Sequence, residues 1–238
     1  MKQIIVYTPF NRNIIGRYHK DKQPLEDGWV RYRFGIWQKY TLQSVLKQSY
    51  KNWKYFVLCN SKTKKTIDSL FSKIQDKRIF IVYYKTDEEQ KIMKKVSKDC
   101  DEMVNVRLDS DDMYHPSALK DLNNAINKFD AEWYQWKNGY GYRYDNSPMS
   151  GELVVYHAHS GPFFAHKYKT KDWLSLKTIS EPQHQTIAKR GAVKLNDKRV
   201  LVGIHGNNTS TRLTISCFRK KITSLKEKKK ILSEFNIV

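Results

Sequence analysis

Residues 103–112 read Met103-Val104-Asn105-Val106-Arg107-Leu108-Asp109-Ser110-Asp111-Asp112. An apolar run ends here in three carboxylates within four residues. The run, residues 103–108, reads as a buried strand. Carboxylates packed this closely repel one another unless a cation or solvent intervenes. Hard divalent cations such as Mg²⁺ or Mn²⁺ take oxygen ligands and commonly share them with substrate phosphates. A solvated acidic turn, with Asp109 or Asp112 capping the next helix, is the competing reading.

The flanking pattern decides what kind of sheet holds that strand. Residues 2–8, 55–59 and 78–83 read as strands. Helical spacing follows each: from Phe34 to Leu46, over 63–75, over 87–98, and again over 116–129. Residues 10–33, with Pro24 and Gly28, read as a loop. Strand and helix alternate, which predicts an α/β fold with an open, mostly parallel sheet flanked by helices. Ligands of such sheets bind beyond the carboxyl ends of the strands, where Asp109 lies. Residues 131–170 read as strands and loops of a smaller β region, 180–190 as helix, and 193–202 as one or two strands. The tail from Phe218 onward reads as a basic helix. The expected organisation is one domain over 1–238: a first half to about 115, a second half over 116–210, and a tail over 211–238.

Composition narrows the function. Lys and Arg number 44 against 24 Asp and Glu, a formal charge of +20. Such a field attracts nucleotides, anionic membranes or nucleic acid without choosing among them. Aromatics make up 13% of the chain, too rich for a disordered polymer. No stretch of about 18 apolar residues is present, and the N-terminal apolar run is too short for a signal peptide. Cys59, Cys100 and Cys217 are widely spaced and suit ordinary thiols of a cytoplasmic chain.

Four segments in order resemble family 2 glycosyltransferases of the GT-A fold. Thr8-Pro9-Phe10-Asn11-Arg12 resembles their first strand-to-loop junction. Tyr40–Trp53, with Gln48-Ser49-Tyr50, resembles their helix and turn before the second strand. Tyr55–Cys59 falls where that strand does, and Leu108-Asp109-Ser110-Asp111-Asp112 resembles their D-x-D segment. The second half is similar to the narrower rhamnosyltransferase group, through Asn138-Gly139-Tyr140, Gly161-Pro162-Phe163-Phe164 and His205.

The resemblance implies a metal-dependent hexosyltransferase that uses a nucleotide-diphosphate sugar and Mn²⁺ or Mg²⁺. The acceptor would be a glycan or lipid-linked precursor. It implies that Asp109 seats the donor, that Asp111 holds the metal, and that Asp112 is a second metal contact or a cap. Thr8 and Asn11 would line the nucleoside pocket. Asn60 stands where the family usually has an aspartate that reads the base, and its amide can still bond a base edge. An inverting transferase needs a general base near the acceptor hydroxyl. Glu181, in Ser180-Glu181-Pro182-Gln183-His184, takes the place of the family's carboxylate, with His184 as second candidate; Glu181 as an ordinary helix-start residue is the alternative. His205, between Gly203 and Gly206, is a candidate metal ligand or a surface-turn residue.

Two features stay open. The aromatic run Trp133, Tyr134, Trp136, Tyr140, Tyr142 and Tyr144 reads mostly as strand core, with an acceptor platform as the alternative. In the tail, Phe218, Ile222, Leu225, Leu232 and Phe235 lie opposite a row of lysines. Such a helix can rest on an anionic membrane, at the inner membrane face, or pack back on the domain. The basic surface also allows a DNA-modifying glycosyltransferase or a non-catalytic nucleic-acid-binding protein.

Overall fold

The structure, a computed structural model, describes residues 1–11, 23–144, 151–159, 161–176, 179, 184–205 and 218–237. The central sheet has seven strands in the order β10-β6-β9-β4-β1-β2-β3. These are β1 (Lys2–Pro9), β2 (Trp53–Cys59), β3 (Ile79–Tyr83), β4 (Glu102–Arg107), β6 (Trp133–Gln135), β9 (Phe164–Lys169) and β10 (Val193–Lys194). β9 alone runs against the other six.

Both faces of this sheet are covered, which explains why its parallel strands are almost continuously apolar. In β1, Ile4 and Val6 face one core with Val30, Phe34, Trp37, Ile67 and Leu122. Ile5 and Tyr7 face the other, with Met93 and Trp173. The first face carries α1 (Asp27–Ile36), α2 (Leu42–Leu46), α3 (Lys64–Phe71) and α5 (Ala118–Lys128). The second carries α4 (Asp87–Ser97) and α6 (Thr170–Ser175).

A second sheet of five strands, ordered β12-β8-β7-β11-β5, stands beside the carboxyl end of β4. It comprises β5 (Met113–Tyr114), β7 (Asn138–Arg143), β8 (Leu153–His157), β11 (Val200–Ile204) and β12 (Phe218–Lys221). The acidic turn after β4 leads directly into β5, so the two sheets meet at that turn. The last helix, α7 (Leu225–Glu234), closes the second sheet with Ile231, Leu232 and Phe235 against Met113, Tyr140 and Leu201.

Three expectations need correction. Residues 27–33 are helix, not loop. Val30, Arg33, Phe34 and Trp37 recur at helical spacing and are buried, and Gly28 sits in the first turn, where it costs little. A π-helical turn, Trp37–Thr41, joins α1 to α2. Residues 218–221 are an edge strand, and Leu225 is 73% exposed, so the tail's apolar face is not one continuous helical stripe. The apolar side of α7 packs inward. As expected, Trp133, Tyr134, Trp136 and Tyr140 are core. Among the described residues no helix is long and apolar enough to cross a membrane.

Gln48, in the Gln-Ser-Tyr segment, has a structural task. Its amide nitrogen donates to the Ser44 carbonyl at 2.9 Å and the His115 carbonyl at 2.9 Å, and its oxygen accepts from the Leu119 backbone N–H at 3.0 Å. It is fully buried and pins the end of α2 to the start of α5, just past the acidic turn. Gln48→Leu keeps the bulk and strands these partners. Urea unfolding should show stability lowered by about 2–3 kcal/mol, since an unsatisfied buried group costs about 1–3 kcal/mol; a change below about 0.5 kcal/mol would exclude this role.

Candidate functional site

The chain leaves β1 toward β2 and β3, then returns to β4 on the other side of β1. That reversal puts a crevice beyond the carboxyl ends of β1 and β4. Thr8 closes its floor. Its hydroxyl donates to the Leu108 carbonyl at 2.6 Å and lies 2.8 Å from the Tyr55 hydroxyl, which accepts from the Trp37 indole N–H at 2.7 Å. The relay leaves Thr8 fully buried, holding β1 to β4. Asn11 is also buried. Its amide donates to Thr63 Oγ1 and the Pro24 carbonyl, and its oxygen accepts from the Asn60 backbone N–H at 2.9 Å. The Asn60 side chain in turn accepts from the Lys62 N–H at 2.9 Å. Asn11, through Thr63 Oγ1 and the Asn60 N–H, binds the loops beyond β1 and β2 to each other.

The acidic turn is tight, closed by the Asp112 N–H on the Asp109 carbonyl at 3.1 Å. It sends its carboxylates in different directions. Asp109 keeps 30% of its side chain exposed and pairs with Arg107 at 3.0 Å. Asp112 is buried and accepts from the Gly203 backbone N–H at 2.9 Å, tying the turn to β11. Burial and the nearby charges of Asp111 and Asp109 push the Asp112 carboxyl well above the usual range. Asp111 is buried beside Arg33, whose Nη1 lies 2.8 Å from its Oδ2. Burial pushes the Asp111 carboxyl up, but Arg33 and His205 together outweigh it and hold the group below the usual range.

His205 completes the cluster. Its Nε2 lies 3.1 Å from Asp111 Oδ2 and 2.8 Å from Arg33 Nη1. One nitrogen cannot both accept from a guanidinium and donate to a carboxylate. Arg33 can only donate and Asp111 can only accept, so Nε2 serves one of the two according to the imidazole tautomer. With the imidazole proton on Nδ1, the two hydrogens on Nη1 serve Asp111 and His205, one each. Tyr144 stacks beside His205 with ring centroids 5.7 Å apart, and its hydroxyl donates to the Asp111 carbonyl at 2.9 Å. Tyr40, from the π turn, stacks on Tyr144 at 4.4 Å, and the half-exposed Tyr32 stands at the rim, 6.0 Å from His205. Arg33 was not among the sequence candidates; Tyr144 entered only as a member of the aromatic run, and Gly203 only as a flank of His205. Glu181 lies outside the described residues, as does the side chain of His184, whose backbone opens the 3₁₀ turn His184–Arg190.

Among the described residues no three His, Cys, Asp or Glu side chains converge closely enough to hold an ion by themselves. Two do fit as neighbouring ligands. Adjacent vertices of an octahedron about 2.1 Å from an ion are about 3.0 Å apart, and Asp111 Oδ2 and His205 Nε2 are 3.1 Å apart with one cationic nitrogen 2.8 Å from each. A divalent ion there would draw its remaining ligands from water and a diphosphate.

A mostly parallel sheet flanked by helices, with an acidic turn at its switch point and a second sheet against that turn, defines a GT-A-like nucleotide-sugar transferase architecture. The chain belongs to the family described as "Putative rhamnosyl transferase", whose model matches residues 18–216; it is a glycosyltransferase of the rhamnosyltransferase type. Similar solved structures include Staphylococcus aureus TarS 1–349, at 12% identity over 99% of this chain and 70% of that one, with a TM-score of 0.45. TarS 1–349 in complex with UDP aligns at 14% identity, over 99% and 70%, with a TM-score of 0.46. The 4-diphosphocytidyl-2C-methyl-D-erythritol synthase of Anaerococcus prevotii aligns at 13% identity, over 98% and 95%, with a TM-score of 0.40. Among curated proteins, none matches the chain.

Gly203 is where β11 touches the acidic turn. A Cβ there would lie 2.0 Å from the Asp111 carbonyl oxygen and 2.3 Å from the Tyr144 hydroxyl. Gly203→Ala must push the strand off the turn, and should cost about 1–3 kcal/mol or more by urea unfolding. Gly35→Ala is the control. Nothing lies within 4 Å of its added methyl, so it should gain about 0.5–1 kcal/mol as a helical Gly→Ala change. Equal effects at the two positions would contradict the close approach.

Proposed function

We propose that this glycosyltransferase carries out metal-assisted transfer of a hexosyl group, rhamnosyl by family, from a nucleoside-diphosphate donor to a hydroxyl of a glycan or lipid-linked acceptor, with inversion. The observation that carries the reading is the Asp111–His205 pair: two ligand atoms 3.1 Å apart, beside a buried cation, at the carboxyl end of β4. An ion held there, Mn²⁺ or Mg²⁺, would neutralise charge gathering on the leaving diphosphate. Asp109, the most open of the three carboxylates, is then placed to meet the donor's ribose. Thr8 and the loops joined by Asn11 and Asn60 would flank the nucleoside, with Asn60 toward the base edge. Tyr32, Tyr40 and Tyr144 would border the sugar. Glu181 is the proposed general base, with His184 second, and Asp112 the residue that keeps β11 and His205 in register.

The proposed organisation is a donor half to about residue 115, an acceptor half over 116–210, and a basic tail. The exposed Arg219, Lys220, Lys229 and Lys230 give that tail a cationic surface suited to anionic lipid headgroups at the cytoplasmic membrane face. Because the apolar side of α7 is packed inward, such contact would be electrostatic and salt-sensitive.

Thermal unfolding with UDP, TDP, GDP or CDP, each with Mn²⁺, Mg²⁺ or EDTA, tests the donor site. A nucleotide at about 100 times its dissociation constant should stabilise the protein by about 2.7 kcal/mol. The increase should require metal and disappear in Asp111→Asn. That variant leaves Arg33 buried without its carboxylate, costing about 3–5 kcal/mol, so each protein is read against its own nucleotide-free midpoint. No shift with any nucleotide would overturn the reading.

A further inference from the structure

Arg33 is 6% exposed, and its Nη1 sits 2.8 Å from both the atoms assigned above as metal ligands. Its guanidinium lies over the Trp29 ring, 5.3 Å from the centroid. A divalent ion bound to Asp111 Oδ2 and His205 Nε2 would need the space and the lone pairs that this nitrogen takes. Ion and guanidinium cannot share that place, because both are cations and each lone pair serves one partner.

We propose that Arg33 is a built-in surrogate cation: it fills the ion position between Asp111 and His205 while the donor is absent, and yields it when a metal–diphosphate complex enters. This rests on the metal site of the proposed function and adds a regulatory consequence to it. The surrogate keeps the buried carboxylate paired in the free protein, so the fold does not depend on metal. It also makes metal alone a weak ligand. The diphosphate supplies what tips the exchange, since its oxygens offer the ion further ligands and offer the displaced guanidinium a bidentate anionic partner. Metal and nucleotide should therefore bind with strong mutual dependence, each raising the other's affinity by the same factor.

The test is titration of Mn²⁺ without nucleotide, followed through the paramagnetic resonance signal of the free ion. Wild type, Arg33→Met and Arg33→Gln are compared. Arg33→Gln removes the charge but keeps a hydrogen-bonding amide near Asp111, and so guards against loss of fold in Arg33→Met. The inference predicts Mn²⁺ binding at least about tenfold tighter in both variants, because a competing positive charge has gone. It also predicts that UDP or another stabilising nucleoside diphosphate tightens Mn²⁺ binding far more in wild type than in the variants. Unchanged or weaker Mn²⁺ binding in the folded variants, with nucleotide-dependent Mn²⁺ binding intact in wild type, overturns the inference alone. Absence of Mn²⁺ binding in every form, even with nucleotide, overturns the metal site and the inference together.

Discussion

The buried contact of Arg33 with Asp111 and His205 is the interaction on which the site depends. It spans three distant parts of the chain: a helix before β2, the turn after β4, and the end of β11. Removing charged groups from water is expensive, and a buried pair recovers that cost only with good geometry and satisfied hydrogen bonds. Here one guanidinium nitrogen serves a carboxylate oxygen and an imidazole nitrogen at 2.8 Å each. Such a contact adds little to stability compared with an apolar core of the same volume. Its effect is to set where the acidic turn and β11 stand relative to α1.

The rest of the local structure supports that placement. The relay from Trp37 through Tyr55 and Thr8 to Leu108 locks α1, β2, β1 and β4 together directly beneath the turn. Gly203 lets β11 approach the Asp111 backbone, and Asp112 bonds the Gly203 N–H, so the second sheet is tied to the turn from the other side. Gln48 fixes the helix that follows β5. A glycosyltransferase must meet the charged diphosphate with groups already in position, because reorganising dipoles during the reaction is costly. Two sheets braced against a four-residue turn supply that rigidity.

Much of this was legible in the sequence wherever the controlling pattern is local. The strands around β1 and β4 announce themselves because burial on both faces demands unbroken apolar runs. Asp109 and Asp111 stand out because they end one such run. Arg33 does not, since its partners lie 78 and 172 positions away and an arginine in the basic, aromatic stretch Trp29–Phe34 reads as loop or surface. Its one local signal is a charge on the same helical face as Val30, Phe34 and Trp37. The strand at Phe218 was hidden for a different reason. Its basic residues suit an exposed edge as well as a helix, and its pairing with β8 is set by a partner some sixty residues earlier. Gly203 read only as a flank of His205 after a strand, whereas what requires a glycine there is a contact with the turn at Asp111.

In the proposed reaction Asp111 and His205 together hold the ion that meets the donor diphosphate. Anomalous scattering from crystals grown with Mn²⁺ and a stabilising nucleoside diphosphate tests it most directly. The expected result is a manganese peak about 2.1 Å from Asp111 Oδ2 and His205 Nε2, with phosphate oxygens completing its shell and the Arg33 guanidinium withdrawn. A nucleotide bound with no manganese at this pair, and Arg33 still between Asp111 and His205, would contradict it.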